Sequence, residues 1–466
     1  MPSTSVRLSA DSPELTAALA EITKDLPRDF APAVQAEAEA AHPSLPDRDL
    51  TDVEFVTIDP LGSTDLDQAL FLDRRGDGYR VLYAIADVPA FVRPGGELDA
   101  EARRRGQTIY APNGRIPLHP AVISEGAASL LPGQLRSAFV WDLELDPTAE
   151  VTQAHVYRAR VQSREQLDYA TAQKRLDDAT ASTVLQLLKE VGVKRVALER
   201  ERGGASLGTQ ETEIALVDGE YCLVRRTPHP VEDWNAQLSL MTGMAAARIM
   251  LDGNVGILRT MPPADDEAVR RFRRQTEALG TPWTADVPYG DYLRSLDVTT
   301  PRHLAIMHAA ASLFRGAGYS PFDGAPPSQT EQAAVAAPYA HVTAPLRRLV
   351  DRFGLVICAA LSAGEPVPEW AREALPELPS LMSRSSQIAG QVDSQALNVV
   401  EAAVLAGRVG EVFEVTVLSA SESYGTVQLA DPPVVARCNG VLEPGATVSA
   451  TLETAVIATG TVLFRA

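Results

Sequence analysis

Three carboxylates fall within nine residues at Asp59-Pro60-Leu61-Gly62-Ser63-Thr64-Asp65-Leu66-Asp67, and Gln68 follows. Glu54-Phe55-Val56-Thr57-Ile58 before them reads as a strand, and Ala69-Leu70-Phe71-Leu72 after them reads as another. Pro60, Gly62 and Ser63 break regular structure between the two. Asp65 and Asp67 are two apart, so in an extended stretch both carboxylates point to one side. Asp59, at the end of the first strand, can fold back towards them. Like charges held this close repel, and a hard divalent cation offsets that best. Carboxylate oxygens suit magnesium or manganese rather than zinc. Such an ion can hold a phosphate, activate water and stabilise a leaving oxygen. The plain alternative is a solvated acidic turn. An EF-hand is excluded, because the D-x-D-x-D-G start is missing.

The 466 residues suffice for two or three domains with one large core. No stretch approaches the roughly 18–20 apolar residues of a membrane span, and Met1-Pro2-Ser3-Thr4-Ser5 does not begin a signal peptide. Cys222, Cys358 and Cys438 are few, odd in number and far apart, which argues against a disulfide framework or zinc ribbon and fits a reducing cytoplasm. The net charge of -19 opposes nucleic acid when taken globally. Basic residues are clustered, however, at Arg103-Arg104-Arg105, Arg225-Arg226, Arg270-Arg271 with Arg273-Arg274, and Arg347-Arg348 with Arg352. A basic groove in an acidic shell and a set of solvated helix faces are both open.

Along the chain, residues 1–50 read as a short helical lead-in, with helices from Asp11 to Ile22 and from Ala33 to Ala41. From Val53 to about Asp146 the pattern is mostly strand, with a hairpin across Arg74-Arg75-Gly76-Asp77-Gly78. Asp99 can cap a short helix. Residues 163–202 read as helical, and Ile214 to Val224 as a hairpin across Asp218-Gly219. A helix follows with Trp234, Leu238, Met241, Ala245 and Ile249 on one stripe. Ser320 to Pro338 reads as a long loop. From Gly410 onward about five short strands, punctuated by Gly440, Pro444-Gly445 and Gly460, suggest a small OB-like barrel, a common single-strand binder.

Four segments in order give the chain a family resemblance. They are Thr57-Ile58-Asp59 through Asp67; Ala84-Ile85-Ala86-Asp87-Val88 with Leu98 to Ala102 and Gly106-Gln107-Thr108-Ile109-Tyr110; Ile116-Pro117-Leu118-His119-Pro120 with Ala128 to Pro132 and Arg136; and Tyr339-Ala340-His341-Val342-Thr343-Ala344-Pro345-Leu346-Arg347-Arg348 with Asp351. Over roughly residues 50 to 405 this resembles the catalytic domain of the ribonuclease II (RNB) family of exoribonucleases. The resemblance implies an α/β (α+β) RNB-type catalytic domain over 51–405, with the OB-like barrel over 406–466. It also implies a short form, since 50 residues leave no room for the usual N-terminal pair of cold-shock barrels.

The function it implies is 3′-to-5′ hydrolysis of single-stranded RNA to nucleoside 5′-monophosphates with magnesium, or manganese by the same donor chemistry. The setting expected is a cytoplasmic monomer. By the same resemblance Asp59, Asp65 and Asp67 match metal-site aspartates. Gln68 stands where a fourth Asp is usual, as a neutral partner to the metal. Arg347 matches the arginine of the family's Ser-Pro-Ile-Arg segment and would stabilise charge on the scissile phosphate. Arg348 would hold a neighbouring phosphate, Tyr110 would stack on the terminal nucleotide, and Glu401 matches a late active-site glutamate. Ala236-Gln237 stands where the family has Glu-Glu. Gln68 favours one other reading, an RNA-binding protein of this fold with weakened catalysis; a third is an unrelated metal-dependent hydrolase with an acidic site.

Overall fold

The computed structural model describes residues 7–9, 12–205, 211–217, 220–313 and 315–466. Strands Phe55–Asp59, Gln68–Arg75, Gly78–Ala86, Leu135–Leu145 and Val151–Asp168 close into one barrel. The expected hairpin forms with Arg75 opposite Gly78. Gly76, at φ 58°, takes the left-handed position in its turn. Closure is parallel: Val151–Asp168 lies antiparallel to Leu135–Leu145 on one side and parallel to Phe55–Asp59 on the other. This placement sets Asp59 opposite Asp168 at the end of the closing pair.

The period of two in Gly78–Ala86 sorts its side chains into two apolar layers. Tyr79, Val81, Tyr83 and Ile85 join one core with Phe139 and Trp141. Leu82, Ala84 and Ala86 join another with Ala138 and Val140. Helices Thr183–Glu201, Pro230–Asp252 and Leu349–Ala363 cover the first layer. The Pro230–Asp252 helix buries Trp234, Leu238, Met241 and Ala245, as its stripe predicts. At Gly243 it comes so close to residues 339–340 that an added Cβ would lie 2.1 Å from the Tyr339 ring and 2.7 Å from the Ala340 carbonyl oxygen.

The C-terminal five strands, from Val412–Ala420 to Thr461–Arg465, form the expected closed barrel. Helix Leu378–Leu405 joins the two parts. Leu378 and Met382 sit in the first core, and Val399, Val400 and Ala403 sit in the barrel's core. Among the described residues no helix is long and apolar enough to cross a membrane.

Several expectations need correction. Residues 163–168 continue the Val151–Asp168 strand, because this stretch has the parallel partner Phe55–Asp59; helix begins at Tyr169. Gly318–Asp323 is a strand paired with Val255–Thr260 rather than loop. Asp99 lies inside helix Glu97–Arg105, buried against Arg352, and Gly96 is the cap. Helix Pro13–Thr23 is more than a lead-in, since Leu15, Ala18 and Leu19 belong to the C-terminal barrel's core. Asp11 and the turn Asp218-Gly219 lie outside the described residues.

Candidate active site

Between strand ends Asp59 and Gln68 the chain runs without a ladder partner, yet it is fastened at several points. The Ser129 hydroxyl donates to the Thr64 carbonyl and accepts from the Leu66 amide. The Leu130 amide donates to the Leu66 carbonyl, and the Ala86 amide to that of Asp67. Gln166 donates to the Ser63 carbonyl. The held loop lines a cleft of about 710 Å³ together with Tyr110, Arg115, Tyr169, Asn235 and Arg347. That volume lies within the range of small-molecule sites. A smaller cavity of about 370 Å³ shares Tyr110 and Arg347 and continues to Asp393 on helix Leu378–Leu405.

Asp59, Asp65 and Asp67 all line the cleft, in different environments. Asp59 Oδ2 is buried with no hydrogen-bond partner among the described residues. Burial, and then the charge of Asp65, push its carboxyl up to about 7 against the pull of Arg347. Asp67 is buried and accepts from the Leu346 amide at 2.8 Å. Burial lifts it well above the usual carboxylate range, although Arg347 and that amide oppose the shift. Asp65 instead accepts from Arg115 Nη1 at 2.9 Å, and the Tyr110 hydroxyl lies 3.4 Å from it.

Arg347 is 45% exposed and its Nε lies 3.9 Å from Asp67 Oδ2, so its guanidinium faces the cleft without a tight partner. Two contacts present it. Its own carbonyl accepts from the Thr108 amide, and Leu349 donates to Gly106. Tyr110 is 53% exposed at the cleft's edge.

Three of the assigned residues make contacts that the sequence did not foretell. Gln68 donates from Nε2 to the Thr343 carbonyl at 2.7 Å and accepts from the Tyr83 hydroxyl. Both ends of its amide are bonded to protein, so it acts as a strut between Thr343 and Tyr83. Arg348 is paired twice with buried Asp351, at 2.8 Å each. Asp351 also accepts from the Ala344 amide, so this pair shapes the turn that carries Arg347 instead of offering a free charge to phosphate. Glu401 is buried at the seam with the C-terminal barrel, where it accepts from the Val435 amide, and it lines a different cavity. On helix Pro230–Asp252, Asn235 lines the cleft and donates to the Ile58 carbonyl, while the Ser239 hydroxyl bonds that of Thr343. Gln237 bonds Glu199 instead.

The sequence reading missed Arg115 and Glu125. Tyr110 and Arg115 are directly opposed in the hairpin Ile109–Ala111/Gly114–Ile116. The signal was present: Ile-Tyr-Ala-Pro-Asn-Gly-Arg-Ile is symmetric about a Pro-Asn turn. Glu125 sits in the π-helical turn Val122–Ala127, a wide turn that no local pattern announces. Among the described residues, no three His, Cys, Asp or Glu groups converge tightly enough to hold a metal ion. Asp59, Asp65 and Asp67 line one cleft, and Asp65 is bonded there to Arg115. The donor chemistry nonetheless fits a hard divalent ion. Hard carboxylate oxygens surround the cleft, and one of them, on Asp59, is buried and unanswered.

A closed mixed barrel under helices, with a fastened acidic loop and a cleft-facing arginine, is joined to an OB-like barrel. Residues 47–357 match the RNB domain and residues 411–466 the RNase II-type exonuclease C-terminal S1 domain, and the chain belongs to the RNB family. Over 354 residues it is 27% identical to Ribonuclease R of Escherichia coli strain K12, covering 71% of this chain and 43% of that protein. Over 417 residues it is 25% identical to Ribonuclease R of Aquifex aeolicus, covering 84% of this chain and 58% of that one. The chain thus covers less than two thirds of the length of either relative. Its fold resembles Mycoplasma genitalium RNase R in complex with ribose methylated single-stranded RNA, with TM-score 0.87, 17% identity, and 97% of this chain and 78% of that one covered. It also resembles yeast Ssd1, a pseudonuclease, with TM-score 0.75, 18% identity, and 96% and 59% covered.

Proposed function

We propose that this chain is a metal-dependent 3′-to-5′ exoribonuclease that hydrolyses single-stranded RNA to nucleoside 5′-monophosphates. The observation that carries the reading is the half-exposed Arg347 guanidinium beside Asp67, in the cleft that Asp59 lines and Tyr110 borders. A guanidinium with no tight partner suits the charge that grows on a scissile phosphate. The Tyr110 ring can stack on the terminal base without reading its identity. Asp59, Asp65 and Asp67 would hold magnesium or manganese, which when bound supplies phosphate polarisation and an activated water. The C-terminal barrel offers a second surface for the strand. Cys222, Cys358 and Cys438, few and far apart in the sequence, fit a cytoplasmic setting, and we expect a monomer.

One observation favours a second reading, an RNA binder of this fold with weakened hydrolysis. Gln68 is neutral and bonded between Thr343 and Tyr83, and so adds no charge to a metal site. Incubation of 5′-labelled single-stranded RNA with magnesium and the purified chain separates the two. A ladder shortening from the 3′ end, absent with Asp67→Asn, supports the enzyme. Intact RNA that is nonetheless bound supports the second reading.

A further inference from the structure

The aspartate cleft carries a cation of its own. Arg115 Nη1 bonds Asp65 Oδ1 at 2.9 Å, while Nη2 reaches Glu125 Oε1 at 2.5 Å and the Thr64 hydroxyl at 3.1 Å. The Thr64 hydroxyl in turn donates to the other Glu125 oxygen at 3.0 Å. Two separate elements meet here: the 109–116 hairpin delivers Arg115, and the 122–127 turn delivers Glu125. The bridge is only partly covered, with Arg115 28% and Glu125 31% exposed. It is no buried pair that the fold must keep closed. Glu125 also gives the guanidinium a place to stay if Asp65 lets go.

We propose that Arg115 is a resident counter-cation that competes with divalent ions for Asp65. Asp65 then joins Asp59 and Asp67 as a shared ligand set only when Arg115 falls back onto Glu125. The inference rests on the metal-dependent reading above. The physical ground is simple. A carboxylate oxygen bonded to a guanidinium at 2.9 Å cannot serve a second cation at full strength, and the guanidinium's charge repels a cation arriving beside it. Arg115 therefore raises the divalent concentration the cleft requires.

The test is Mn2+ binding to the whole chain at fixed ionic strength, followed by electron paramagnetic resonance of the free ion. The variants are Arg115→Gln, Arg115→Lys, Asp65→Asn and the Arg115→Gln/Asp65→Asn pair. Arg115→Gln is expected to bind Mn2+ roughly tenfold more tightly. Lysine reaches one carboxylate at a time, so Arg115→Lys should gain less in the same direction and still reports if the glutamine variant folds poorly. With Asn at position 65 the Arg115 substitution should no longer matter. Binding that is measurable but indifferent to Arg115, or a gain that persists in the Asp65→Asn background, overturns the proposal alone. Absence of Mn2+ binding in every variant overturns it together with the metal-dependent reading.

Discussion

Arg347 and Arg348 are neighbours in sequence with opposite assignments. Arg348 is closed by Asp351 in a two-pronged pair, whereas Arg347 approaches a carboxylate no closer than 3.9 Å. Arg347→Ala should therefore leave the fold intact and cut single-turnover RNA cleavage by about 10²–10³-fold, as removal of one charge-stabilising donor does. RNA affinity, measured by filter binding, should change much less. Asp351→Ala should act the other way. It strands a buried guanidinium and should cost about 3–5 kcal/mol of stability in denaturant titration. The sequence showed both arginines and did not separate them, although the Arg348-x-x-Asp351 spacing at a helix start held the clue. Gln68 was harder to read. Its partner Thr343 lies 275 positions away, so no local pattern could say that its amide is a strut. Gln68→Glu loses the donor to that carbonyl and should lower stability by about 1–3 kcal/mol.

Elements with regular alternation were legible, because a half-buried strand or an amphipathic helix writes its period into its own residues. The 68–86 hairpin, the Trp234 stripe and the five C-terminal strands are of this kind. Elements defined by a distant partner were not. Residues 163–168 are strand because Phe55–Asp59 runs beside them, and Gly318–Asp323 is strand despite Pro321 because Val255–Thr260 pairs with it. The close pass of helix Pro230–Asp252 over Tyr339 is another long-range fact, and it bears on the cleft. The segment it touches continues to Arg347. In Gly243→Ala the new methyl would meet Tyr339 and the Ala340 carbonyl, and helix and segment must separate. A loss of about 1–3 kcal/mol is expected, with impaired RNA cleavage although no cleft residue is altered. Gly407→Ala, where a Cβ meets nothing within 4 Å, is the control that should leave both readouts unchanged.

At the scale of the molecule, helix Leu378–Leu405 spans roughly 42 Å at about 1.5 Å per residue and roots in both cores. Glu401 stands near its barrel end, buried, with its Oε1 on the Val435 amide at 2.9 Å. Burial raises its carboxyl to about 7 from 4.5, with only that amide opposing. The folded chain therefore holds this proton more tightly than the unfolded chain does. The stabilising contribution is full below about 4.5 and is lost as pH rises through about 7. Barrel and helix should thus be held together least well above neutral pH, where the buried carboxylate must ionise. Glu401→Gln keeps an oxygen for Val435 and removes the ionisation. At pH 8 it should be more stable than the native chain by on the order of 3 kcal/mol, and near pH 4 the two should melt together. Asp59 shifts in the same sense, so the native curve alone cannot isolate Glu401. The difference between the two proteins at each pH can, because Asp59 is common to both. A melting gap of equal size at pH 5 and pH 8 would show that Glu401 acts at this seam through its shape and not its charge.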